Sequence, residues 1–289
     1  MIDLDTLQKR AAHYRERTYR TALSLRLHGP QEAVDFVNER GFVYFWPIKD
    51  HDLPNLWYAT VGARPVPNNH DDPGHVTWGW KDDLLDKRVW YYAKLIHKKA
   101  TIVSLAMVPY FYTLSPNYGD YENDYLVQYR NGLMSAEMKN IYEALLKNGP
   151  LHTLDLHKQA HMTSSDKKYV FDKTLTDLQA EMKIAPVGIA AAGRWGYAMI
   201  YDITARYYPE IVEKARFISE AKAQQTILHS YFRSVGMANV TSIQRMFGWE
   251  KTYIQQACDY LAEQDEIIPF PDAQRSNTVY FINDIFHLQ

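Results

Sequence analysis

The sequence predicts an α+β fold, mainly α, in which short helices alternate with small β-hairpins. Three observations carry that prediction. Hydrophobic residues make up 46% of the 289 residues and charged ones 23%, which fits a chain with a real core. Beyond about residue 135, apolar residues recur at helical spacing in segments closed by glycine. An order of helix, short helix, longer helix and hairpin then occurs twice.

The elements follow in chain order. Residues 4–28 read as a helix, with Leu4, Leu7, Ala11, Tyr14 and Leu25 near one stripe and Gly29-Pro30 as its stop. Another face carries Arg10, His13, Arg17 and Arg20. Such a run is either a solvated face or a phosphate-facing stripe. Residues 31–40 read as a second helix stopped by Gly41. The stretch GARPVPNNHDDPGHVTWG is turn-rich and longer than ordinary connections. Residues 81–99 read as a basic helix, with Trp90, Tyr91 and Leu95 turned inward. Residues 115–133 are polar and Tyr-rich without a clear period.

Ser135 caps a helix closed by Gly149-Pro150, and a short helix follows near residues 154–161. Ser164 or Ser165 caps a longer helix with Phe171, Leu175, Leu178 and Met182 as its core stripe. Two strands surround a turn at residues 191–194, with Trp195, Tyr197, Met199 and Tyr201 alternating onto one face. The order repeats over residues 219–235, 241–247 and 250–264, where Tyr253, Ala257 and Leu261 share a side. Strands at 267–270 and 278–282 end it. Helix, short helix, long helix, hairpin is the winged-helix arrangement, so tandem winged-helix units with small β-hairpin wings are expected. The expected division is 1–133, an N-terminal helical or winged-helix-like domain with a long aromatic-rich loop, then winged-helix units at 134–215 and 216–289.

Composition narrows the function classes. The one cysteine, Cys258, excludes a disulfide framework or a cysteine-based zinc site within one chain, and it reads as a small core residue. No apolar run is long enough to span a membrane, and the N-terminus lacks a secretory core, so a cytoplasmic location is expected. GIAAAG precedes a strand instead of a helix, so the dinucleotide fingerprint fails on context. His70, Asp71, Asp72 and His75 hold metal-type donors, yet they lie where turns use the same residues, and neither metal nor cofactor is expected. The formal net charge of −2 puts any nucleic-acid role on local patches.

Those patches are legible. Lys167 and Lys168 open the third helix of one unit, where cations oppose the helix dipole at about 0.3–1 kcal/mol each unless an anion lies near. Asp166 offsets part of this. Arg194 sits at the adjoining wing tip. The next unit offers Lys251 and Arg275, with Glu250, Asp259 and Glu263 beside them.

The segments GFVYFWPIKDHDLPNLW, HVTWGWKDDLLDKRVWYYAKLIHKKA, FDKTLTDLQ and GRWGYAMIYDI resemble the AlkZ-like winged-helix DNA glycosylases, and the resemblance spans most of the chain. It implies winged-helix units around a DNA channel and excision of alkylated bases by hydrolysis of the N-glycosidic bond. The partner it implies is double-stranded DNA, alkylated or otherwise damaged. The family's C-terminal β-barrel is not expected here. Its catalytic motif, Gln, an apolar residue, then Gln or Asp before Pro-Ile, falls on Tyr44, Phe45 and Trp46 before Pro47-Ile48. Tyr and Trp lack the acceptors that position water, so catalysis would pass to Asp50 and His51, with an Asp50 or Asp52 carboxylate as general base. The alternative there is a capped turn with a structural histidine. Tyr44, Trp46, Trp57, Trp78 and Trp80 are either a base-holding surface or core. A non-enzymatic winged-helix regulator or protein-interaction module is the competing reading.

Overall fold

The computed structural model describes residues 3–69, 71–164, 167–193, 196–272 and 277–287. His70, Ser165, Asp166, Arg194, Trp195 and Arg275 therefore lie outside the described residues.

The chain begins with α1 (Leu4–Thr18), capped by the Asp3 side chain on the Thr6 amide. It ends ten residues before the expected stop, because Arg20 turns into the left-handed region (φ 53°). Next come α2 (Pro30–Arg40), β1 (Phe42–Tyr44), α3 (Leu56–Val61), α4 (Val76–Leu84), β2 (Trp90–Lys94) and β3 (Ala100–Ser104). The expected helix over 81–99 is thus a helix end followed by a hairpin. Trp90, Tyr91 and Ala93 are buried along β2, and Arg88 and His97 take positive φ at its two ends. Aromatic residues pack well on a pleated surface, and that outweighs the helical spacing of the lysines.

Then follow α5 (Val108–Thr113), α6 (Asp124–Arg130), α7 (Ala136–Asn148), β4 (Leu151–His152), α8 (Thr153–Gln159) and α9 (Lys168–Ala180). After them come β5 (Ile184–Ala190), β6 (Ala198–Ile203), α10 (Thr204–Tyr207) and α11 (Pro209–Ala215). The last elements are α12 (Glu220–Val235), β7 (Met237–Asn239), α13 (Val240–Phe247), α14 (Lys251–Glu263), β8 (Ile267–Asp272) and β9 (Asn277–Ile282). Ser135 and Ser219 cap α7 and α12 through the amides of Met138 and Lys222, and Gly149 and Gly236 end them at positive φ. No side chain caps α9 among the described residues; its N-cap is Lys167. On α14, Ile254, Ala257, Cys258 and Leu261 face inward, while Tyr253 is exposed.

Three antiparallel sheets result, ordered β1-β3-β2, β4-β6-β5 and β7-β9-β8. In each, a short strand pairs with the second strand of a later hairpin, as in Tyr44↔Thr101, Leu151↔Tyr201 and Met237↔Phe281. Helix, short strand, two helices and a hairpin therefore recur three times, once more than the spacing of residues suggests.

One apolar core runs through all three repeats, and a smaller one around Phe36, Val43 and Trp80 fills the first. The side chains of α1 bind carbonyls of the third repeat: Arg10 to Phe286 (3.0 Å), Tyr14 to Arg233 (2.9 Å), Arg15 to Val235 (2.7 Å) and Thr18 to Ser234 (2.6 Å). No described helix is long and apolar enough to cross a membrane.

Candidate functional site

The stretch after α2 sends alternate residues to opposite sides. Tyr44 enters the main core and is fully buried; Val43 and Phe45 enter the smaller one. Trp46, just past β1, packs edge-on against His75 and Trp78 and at a tilt against Trp57, with ring centroids 5.4–5.9 Å apart. Of the five aromatics proposed as a base-holding surface, Tyr44, Trp57 and Trp80 are core residues. Trp57 is anchored by its Nε1, which donates to the Arg64 carbonyl at 2.9 Å. Only Trp46 and Trp78 show part of a ring, Trp78 being 38% exposed.

The Tyr44 hydroxyl lies 3.1 Å from His51 Nδ1, and the His51 ring stands edge-on to His97 at 4.3 Å between centroids. Burial raises the Tyr44 hydroxyl well above its ordinary range, so it keeps its proton at neutral pH. Burial lowers the His51 imidazole, and nearby His97 and Arg245 lower it further, against a small opposing effect of Asp50. His51 is therefore neutral at neutral pH. Two proton arrangements satisfy this pair: Tyr44 donates to Nδ1, or Nδ1–H donates to Tyr44 while the hydroxyl turns to Met246 Sδ at 3.9 Å. The second leaves Nε2 as a free acceptor.

The carboxylates are less favourably placed. Asp50 is exposed on a left-handed backbone (φ 63°), and Asp52 pairs with Arg15 at 3.4 Å. Arg15 also holds α1 to the third repeat, so the Asp52 contact ties the loop after β1 to that scaffold.

Beside His97, a cavity of about 360 Å³ opens where the three repeats meet. The first contributes His97, the second Glu181, and the third Met246, Phe247 and Trp249; Phe111 of α5 completes the wall. Trp249 stacks on Phe247 at 4.6 Å and 19°. His97 and Lys98 both have positive φ (51° and 58°), a costly conformation for residues with side chains. Burial raises the Glu181 carboxyl above the usual range even though Lys183 Nζ is 3.8 Å away. Burial likewise brings Lys183 down to about 8. For both partners, loss of water outweighs their attraction.

Sequence reasoning missed His97, Glu181 and Trp249. They come from three distant stretches, so no local pattern joins them. The usable signals were weak: a Gly-Trp pair directly after a helix, and a glutamate between a helix and a strand.

The basic residues separate into three groups. Lys167 and Lys168 are exposed at the start of α9, next to Tyr169 at 76% exposure, and Lys251 is exposed at the start of α14. Arg10 donates through Nη1 to backbone carbonyls of the third repeat and so helps to hold α1 there. Arg17 and Arg20 line a separate cavity on α1 and α2, and Arg20 pairs with Glu39 at 2.9 Å.

Around the turn-rich loop, Asp72 forms a two-pronged pair with Arg64 (2.6 and 3.0 Å) and caps Gly74. Among the described residues, no three His, Cys, Asp or Glu side chains stand together as a metal site would need. Cys258 is buried, and burial pushes its thiol up to about 12.

The fold matches a solved structure, the Streptomyces sahachiroi DNA glycosylase AlkZ, with a TM-score of 0.61 over 97% of this chain and 71% of that one at 10% identity. No curated protein matches the sequence. The family model described as AlkZ related matches residues 27–248, which takes in the first two repeats and the third as far as Gly248. The chain belongs to the AlkZ-related family.

Proposed function

We propose that this protein binds duplex DNA through tandem winged-helix units and hydrolyses the N-glycosidic bond of an alkylated base. The three repeats are read as three units, the first within residues 1–133 and the others at 134–215 and 216–289. The single observation that carries the reading is the neutral His51, held by Tyr44 where the family's motif lies and beside a cavity with an aromatic wall.

An N-alkylated purine is cationic while attached to the sugar and leaves as a neutral base, so it departs without needing a strong acid. What remains is to activate water as the sugar becomes oxocarbenium-like. With Nδ1–H on Tyr44, His51 Nε2 takes that proton, and its lowered pKa keeps it available at neutral pH. The extruded base would lie against Trp249 in the junction cavity. Duplex contacts would come from Lys167, Lys168 and Lys251, which are exposed at the starts of α9 and α14.

The test is incubation with duplexes holding N3-methyladenine or N7-methylguanine, followed by cleavage at abasic sites. Product is expected, and its loss in His51→Ala. No product on either lesion would end the excision reading. Duplex binding without excision would then stand, a reading that the exposure of Asp50 and the pairing of Asp52 with Arg15 favour.

A further inference from the structure

A cavity of about 800 Å³ lies between α1, α2, the end of α12 and the turn after β9, and shares no lining residue with the junction cavity. Its volume is that of a small-molecule site, but its walls are charged. Arg17, Arg20, Arg26, Arg40 and Arg233 all line it.

Three carboxylates share the cavity. Glu39 is taken up by Arg20 and Arg40, at 2.9 and 2.6 Å. Glu32 accepts from the His28 amide at 2.8 Å. Asp284 is the third. Arg17, Arg26 and Arg233 have no carboxylate within 4 Å among the described residues. The Nε atoms of Arg26 and Arg40 are shielded from water with no hydrogen-bond partner among the described residues, and Arg40 is only 6% exposed. Like charges gathered around the buried Arg40 cost stability unless something neutralises them.

Five guanidiniums against three carboxylates leave a formal +2, with His28 and His287 at the wall counted as neutral. A phosphomonoester carries about −1.5 to −2 near neutral pH and presents three acceptor oxygens. Planar guanidinium forks match such a group in geometry as well as charge. A backbone phosphodiester, with one charge, would leave the cavity positive. We infer that this cavity binds a terminal phosphomonoester, carried either by a free mononucleotide or by the end of a nucleic-acid strand. The inference does not depend on base excision.

The experiment titrates the full chain with adenosine 5′-monophosphate and, separately, with a short duplex bearing either a 5′-phosphate or a 5′-hydroxyl. Saturable mononucleotide binding assigns the free nucleotide. Preference for the phosphorylated duplex without mononucleotide binding assigns the strand end. In either case Arg26→Gln and Arg233→Gln should each weaken the phosphate-dependent part about tenfold to a hundredfold. Thermal unfolding identifies any variant that fails to fold, and Arg26→Lys, which keeps the charge but loses the fork, should recover part of the affinity. Absence of mononucleotide binding together with equal affinity for both duplexes overturns the inference. So does phosphate-dependent binding that both folded glutamine variants retain in full.

Discussion

The two cavities differ in what their walls offer. The junction cavity has aromatic and thioether faces, with one carboxylate and one histidine at its edge. The cavity on α1 and α2 has five guanidiniums in a wall that is mostly polar. The first suits a flat, weakly polar group that must be drawn out of water; the second suits a concentrated negative charge. The comparison shows how a chain of net charge −2 can still offer one strongly cationic site and one aromatic site, because cations and rings are segregated instead of averaged.

The largest expected effect falls on the junction side. His51→Ala should lower excision of an alkylated base by about 10²–10⁴-fold, the usual contribution of a positioned base. If it weakens mononucleotide binding as much as Arg26→Gln does, the two cavities are not separate in function.

Next comes Trp249→Ala, which removes the stacking face. Base–aromatic stacking is worth about 1–3 kcal/mol, so affinity for damaged duplex should fall about five- to more than a hundredfold in a competition assay. An unchanged affinity would remove the base from this cavity.

The third effect concerns salt. Lys167→Ala with Lys168→Ala should flatten the slope of log affinity against log salt by about 1.8, near 0.9 for each phosphate no longer neutralised. A slope unchanged between the two proteins would show that α9 does not face the duplex.

The smallest is a pH effect. His51 sits below its ordinary pKa in the folded protein. As pH falls, an unfolded chain takes up this proton first, so stability drops between the ordinary histidine value and the lowered one. Excision should hold through neutral pH and decline only below the ordinary histidine range. His51→Ala should remove that part of the pH dependence of chemical unfolding.

Local rules made much of the helical scaffold legible. Serine caps at Ser135 and Ser219 and glycine stops at Gly149 and Gly236 are short-range chemistry, and each lies where its spacing places it. The hairpin at residues 90–104 was not legible, since its lysines follow a helical spacing while its aromatics decide the outcome by packing against β3. Tyr44 and His51 were named from a motif position, but their hydrogen bond depends on how the chain turns after β1. Glu181 and Trp249 had no such anchor, because contacts between repeats leave no periodic trace.

The hydrogen bonds of α1 bear on the order of assembly. Arg10, Tyr14, Arg15 and Thr18 find their acceptors at residues 233–237 and 285–286, more than two hundred positions later. Closing so long a loop gives no return until the third repeat exists. Because α1 precedes these partners in the chain, it is among the last elements to dock. Its stripe of Leu7, Ala11 and Tyr14 stays uncovered until residues 233–237 have been made, so α1 needs protection before the fold closes.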